Sequence, residues 1–112
     1  MSEKLNIDVD AIADAVSTEA RAEYSSMWKK LKEDQRELFD KITKAISREY
    51  LAYTFGPPED KPKREENLRS LKNGLAALEG VVSIRVYRTT VNLVGRVLGA
   101  IIKQAVKSAI GL

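Results

Sequence analysis

Apolar residues recur at helical spacing over the first half of the chain. Val9, Ile12, Val16, Ala20, Tyr24, Met27 and Leu31 lead into Leu38, Ile42, Ala45 and Tyr53, with Gln35 and Glu49 as the polar interruptions. At 100° per residue these positions stay on one stripe, which predicts a single long helix over about 9–53. Asp8, Asp10 and Asp14 suit the positive end of its dipole, and Ser25-Ser26 is the expected bend or break.

The run Thr54-Phe-Gly-Pro-Pro-Glu-Asp-Lys-Pro62 places a C-capping glycine before prolines that cannot continue a helix, so a turn is predicted at 54–62. Asp60 is positioned to cap a following helix at about 62–79. There Leu68, Leu71, Leu75 and Leu78 repeat with the spacing of a narrow packing seam, and Gly80 is the expected stop or joint.

Beyond Gly80, Val82, Ile84 and Val86 alternate with Ser83, Arg85 and Tyr87 as a half-buried strand would. A strand needs a partner, and no other stretch is strand-like. Helical periodicity also explains the charges better. Arg85, Thr89, Asn92, Arg96, Lys103 and Lys107 fall on one polar stripe, opposite a broad apolar arc. A helix over about 81–111 is therefore predicted.

The fold class expected is all-α: a long helical hairpin forming a single domain over 1–112. Its first arm is 1–55, its Gly/Pro turn 56–62, and its second arm 63–112, which ends in the basic apolar helix. Each arm would span about 70 Å as continuous helix. One stripe on the first arm is too narrow to cover the apolar arc of the last helix, so a second copy of the chain is the expected cover, in an oligomeric helical bundle or ring. The predicted interface positions are Ile84, Tyr87, Val91 and Val94, continuing through Leu98, Ile101, Ala105 and Leu112. Gly95 and Gly99 would let another helix approach closely.

Composition narrows the function classes. The 112 residues contain neither cysteine nor histidine, which removes disulfides, thiolate and imidazole chemistry and the usual zinc ligands. There is no phosphate-binding glycine loop or calcium-binding loop, and the acids Glu33, Asp34, Glu37 and Asp40 sit among lysines as a solvated helix face does. No catalytic, cofactor-binding or metal-ligating residue is assigned, and an enzyme is not expected. The acidic N-terminus lacks the apolar core of a signal peptide, so the expectation is a protein made in the cytoplasm, with assembly into a virion compatible.

The net charge of +3 hides a polarity along the chain. Residues 1–23 hold six acids against two bases, whereas residues 81–112 hold five bases and no acid. Arg85, Arg96, Lys103 and Lys107 form the basic stripe. It could track a nucleic-acid backbone, but no aromatic platform is interleaved with it, and a solvated edge is the simpler reading. An apolar arc beside lysines and arginines also suits a helix lying in a bilayer surface. A simple span is disfavoured because three arginines lie between Ile84 and Ile102.

The C-terminal half, with Leu78-Glu79-Gly80 before an apolar helix, Val91-Asn92 within it and a terminal Gly111-Leu112, resembles small proteins encoded in tailed-bacteriophage genomes. The resemblance covers about residues 65–112 and implies a virion context without assigning any residue a role. The expected function is a non-enzymatic, self-assembling structural or interaction protein of a phage virion, whose partners are its own copies and other virion proteins. The alternatives are a membrane-active protein used in infection or release, and a nucleic-acid packing protein using the basic stripe.

Overall fold

The computed structural model describes residues 8–78 and 83–109; the side chains of Ser83, Ala105, Ser108 and Ala109 are outside the description. The described residues form five α-helices, α1 Val9–Glu23, α2 Ser25–Lys30, α3 Glu33–Phe55, α4 Lys61–Ala76 and α5 Ser83–Ala109, with a 3-10 turn at Pro58–Asp60. Among the described residues there is no strand. The all-α expectation is met, and the alternating positions from Ser83 to Tyr87 lie in a helix, Val82 falling outside the described residues.

The single helix expected over 9–53 is instead three helices. Tyr24 departs from helical geometry at φ −111°, ψ 37°, beside the expected Ser25-Ser26 break. The chain then turns at Leu31 and Lys32, whose ψ values of 144° and 164° are extended. Side chains stabilise this turn by occupying backbone groups that a helix end leaves unpaired. The Arg36 guanidinium donates to the carbonyls of Trp28 at 3.0 Å and Lys29 at 3.2 Å. The Lys32 N–H donates to the Gln35 side-chain oxygen at 3.1 Å. Leu31 is buried, and Trp28 packs edge-on against Phe39 at 5.7 Å between ring centroids.

The turn lets α1 fold back along α3, and a ladder of polar pairs shows that the two run antiparallel. Asp10 meets Arg48, Asp14 meets Lys44, and Arg21 meets Asp40. Between these, the Ser17 hydroxyl donates to Asp40 at 3.0 Å and the buried Thr43 hydroxyl donates to Ser17 at 3.3 Å. At α1, the Asp8 carboxylate accepts the Ala11 N–H at 3.1 Å, the capping geometry expected of an aspartate there.

The face that α3 buries also differs from the stripe in the sequence. Phe39, Ile42, Ile46 and Leu51 are buried, whereas Leu38 is exposed. The non-helical residues at Leu31 and Lys32 reset the angular register, so a stripe carried across them no longer applies to α3.

Gly56 ends α3 in an extended conformation, φ −82° and ψ 176°, rather than a left-handed one. A side chain would still be excluded there, because a Cβ would collide with the Ala52 carbonyl oxygen. After the prolines, α4 returns along α3. Glu49 accepts from both Arg64 and Asn67, and the Tyr53 hydroxyl donates to Glu65. Asp60 occupies the cap position of α4, but its side chain makes no capping hydrogen bond. The leucine seam is borne out: Leu68, Leu75 and Leu78 are buried, with Leu71 packed beside them.

α5 packs against α1, α3 and α4, so the two-arm arrangement is replaced by a folded-back one. The longest principal extent is 48 Å, well short of two 70 Å arms. Gly80 as a joint and Leu112 as an interface residue fall outside the described residues, as does the side chain of Ala105.

Candidate functional site

The last helix is where the sequence places the interface, and folding divides its apolar arc in two. Val86, Thr90, Leu93 and Val94 are buried in the protein's own core, with Tyr87, Val91, Val97 and Leu98 packed against it. Val94 is therefore not an outer interface residue. Tyr87, Val91 and Leu98 are partly consumed by the monomer. The reason is the helical wheel: these positions lie on the side of α5 that α1, α3 and α4 cover once α1 has folded back.

Two other apolar groups stay uncovered. Ile84 is 50% exposed, and on the wheel it shares an outward strip with Gly95, Gly99, Ile102 and Val106, of which Val106 is 54% exposed. Ile101 continues the core-facing side, yet is 36% exposed because it lies beyond the covered stretch. From Gly99 to Lys107 no described side chain is buried. A Cβ added at Gly95 or Gly99 would meet nothing within 4 Å, so the close approach expected at these glycines is not made among the described residues.

The basic stripe is exposed throughout. Arg85, Arg96, Lys103 and Lys107 are all on the surface, and none is in an ion pair among the described residues. Thr89, which the wheel places on the same stripe, has a partner that sequence reading missed. Its hydroxyl lies 2.7 Å from that of Tyr24, which also donates to the Arg85 carbonyl at 3.1 Å. The kink at Tyr24 thus ties the first helical segment to the start of α5.

A second cluster was not legible along the chain. Tyr50 and Tyr53 from α3 and Tyr87 from α5 meet Glu65, Leu68, Arg69 and Lys72 of α4 around a cavity of about 320 Å³. The Tyr50 and Tyr53 rings are near-parallel, with centroids 6.4 Å apart. Lys61 sits over the Tyr53 ring at 5.0 Å and Lys72 over the Tyr87 ring at 5.8 Å, both within cation–π range. Two signals were present in the sequence: Tyr50 and Tyr53 are three residues apart, and Lys61, Glu65, Arg69 and Lys72 follow one face of a helix. Tyr87 could join them only through the tertiary fold.

Both Tyr53 and Tyr87 hold their protons more tightly than an ordinary tyrosine. For Tyr53 the main cause is the hydrogen bond donated to Glu65, reinforced by that carboxylate's charge; for Tyr87 it is burial. A raised folded-state pKa means the folded chain retains a proton that the unfolded chain releases near pH 10.0. The associated stability is complete below pH 10.0 and is lost as pH rises above it. Thermal melts between pH 9 and 11 are expected to show a falling midpoint, and Tyr87→Phe to flatten the fall. An equally steep fall in the variant would contradict this assignment.

Among the described residues, no group of acids is arranged to hold a metal ion, and no helix is long and apolar enough to cross a membrane. No family model, curated protein or solved structure matches the chain.

Proposed function

We propose that this chain is a non-enzymatic, self-assembling helical structural protein, with the outward strip and free end of α5 as its assembly surface. The observation that carries this reading is the apolar surface of Ile84, Ile101 and Val106 that remains uncovered after the rest of the chain has folded. Apolar surface exposed along one helix is removed from water at lowest cost by an equivalent surface on another copy. The open space at Gly95 and Gly99 would allow two such helices to approach closely. The resemblance of the C-terminal half to small tailed-phage proteins supports a virion as the setting, with other virion proteins as further partners.

A second reading is favoured by one local feature. Lys103 and Lys107 flank Ile102 and Val106 on the free end of α5, a pattern that suits a helix lying in the interface of an anionic bilayer. Light scattering on purified protein without detergent separates the two readings. Self-assembly predicts a mass several times the 12.5 kDa of one chain. A stable monomer that binds anionic liposomes would replace assembly with the membrane reading.

A further inference from the structure

We propose that the tyrosine cluster between α3, α4 and α5 binds one nucleotide unit, its base against the tyrosine rings and its phosphate against Arg69 and Lys72. The site is separate from the assembly surface, and no part of the argument depends on the chain self-assembling.

Three kinds of group converge there, and together they restrict the ligand. The rings of Tyr50, Tyr53 and Tyr87 line a cavity of about 320 Å³ that is open to solvent. Stacking on tyrosine suits any flat heteroaromatic ring and is tolerant of base identity. Arg69 and Lys72 stand at the same cavity without a carboxylate in ion-pair range among the described residues. Arg64, on the same helix, is by contrast held by both oxygens of Glu49. Lys72 lies over the Tyr87 ring at 5.8 Å, a contact that leaves its N–H donors free for a phosphate, and Arg69 has neither an ion-pair nor a ring partner among the described residues.

Glu65 is the third kind of group. Its Oε1 accepts the Tyr53 hydroxyl at 3.2 Å, which fixes the carboxylate at the edge of the rings and leaves acceptor capacity for a ribose hydroxyl or an exocyclic amine. An acidic peptide would bring no flat ring for the tyrosines to stack on and no donor for this carboxylate beyond its backbone. A nucleotide uses the rings, the cations and the carboxylate at once.

The same unit could arrive as a free mononucleotide or within a single strand. The test uses the full chain, a short fluorescein-labelled oligothymidylate and adenosine 5′-monophosphate as competitor, read by anisotropy. Complete displacement by the mononucleotide identifies a free nucleotide as sufficient; oligonucleotide binding that the mononucleotide cannot displace identifies the strand. Either result supports the site if Tyr53→Leu and Arg69→Ala each weaken binding about tenfold while Tyr53→Phe, which keeps the ring and loses only the hold on Glu65, weakens it less.

Arg69 is exposed, so its replacement tests the site even where a tyrosine variant disturbs folding. With two cations on the phosphates, the logarithm of the binding constant should fall against the logarithm of salt with a slope of about −1.4, from roughly 0.7 per contact. Failure of both probes to bind overturns the proposal. So does binding that survives Tyr53→Leu and Arg69→Ala but is abolished by Arg96→Glu with Lys103→Glu, which would move nucleic acid to the α5 stripe.

Discussion

Replacing Ile101 and Val106 together by glutamate is expected to return the proposed assembly to single chains. Both side chains are on the surface of the folded chain, at 36% and 54% exposure, so a carboxylate at either position remains hydrated in the monomer. Helicity and thermal midpoint under monomeric conditions should therefore stay close to those of the unsubstituted protein. In an assembly the same positions would be dehydrated. With only part of each side chain still exposed, each loses about 0.5–1.6 kcal/mol of apolar burial, and the larger cost is a charge that must be taken out of water, at several kcal/mol. A combined loss of at least about 4 kcal/mol per contact is about a thousandfold in the association constant. Sedimentation velocity reads this directly as a fall in mass. A variant that keeps the parental mass would place the assembly surface somewhere other than the free end of α5.

Phe39→Ala is expected to produce the largest loss of stability in the protein. Phe39 is completely buried at the point where the turn after α2 returns the chain onto α3. It packs edge-on against Trp28, and it shares a core with Ile12, Val16 and Val86 from two other helices. Truncation of a fully buried phenylalanine costs about 3–5 kcal/mol in lost transfer energy and cavity formation. Domains of this size are held by roughly 5–15 kcal/mol in total, so the variant should be marginal at room temperature. The check is the urea midpoint followed by far-ultraviolet circular dichroism. A loss below about 1 kcal/mol would mean that Trp28 and its turn do not depend on this ring.

The first variant probes the uncovered end of α5 and the second the buried face of α3, and the two faces show where periodicity is and is not sufficient. Leu68 and Leu75 are a seam in the sequence and a seam in the fold because they lie on one face of the uninterrupted α4, and Leu78, just past its end, is buried as well. Val94 looked equally available to a partner, yet the molecule's own α1, α3 and α4 account for its side of α5. Periodicity identifies an apolar face but says nothing of which neighbour arrives to cover it. Leu38 and Phe39 make the same point on a smaller scale. Two extended residues ahead of them rotate α3, so the ring that was off the stripe is in the core and the leucine that was on it is outside.

The turn at Leu31 and Lys32 was hidden for a related reason. It contains neither glycine nor proline, and it is held by Arg36 and Gln35 reaching back to backbone groups. Such capping is visible only once the chain has already reversed. The tyrosine cluster is likewise assembled from residues up to 37 positions apart, Tyr50 to Tyr87, and only helix packing brings them together.

From its sequence alone, this protein is all-helical, broken after Phe55, seamed with leucine on α4, and basic and apolar in its last helix. Each of these follows from local chemistry: periodicity, prolines that cannot donate, and charges with no acids nearby. The tertiary structure decided that α1 folds back on α3, that one side of the first part of the last helix is core, and that three tyrosines share one cavity. These outcomes depend on non-local packing, where the burial of Phe39, Leu31 and Val94 outweighs continuation of one long helix.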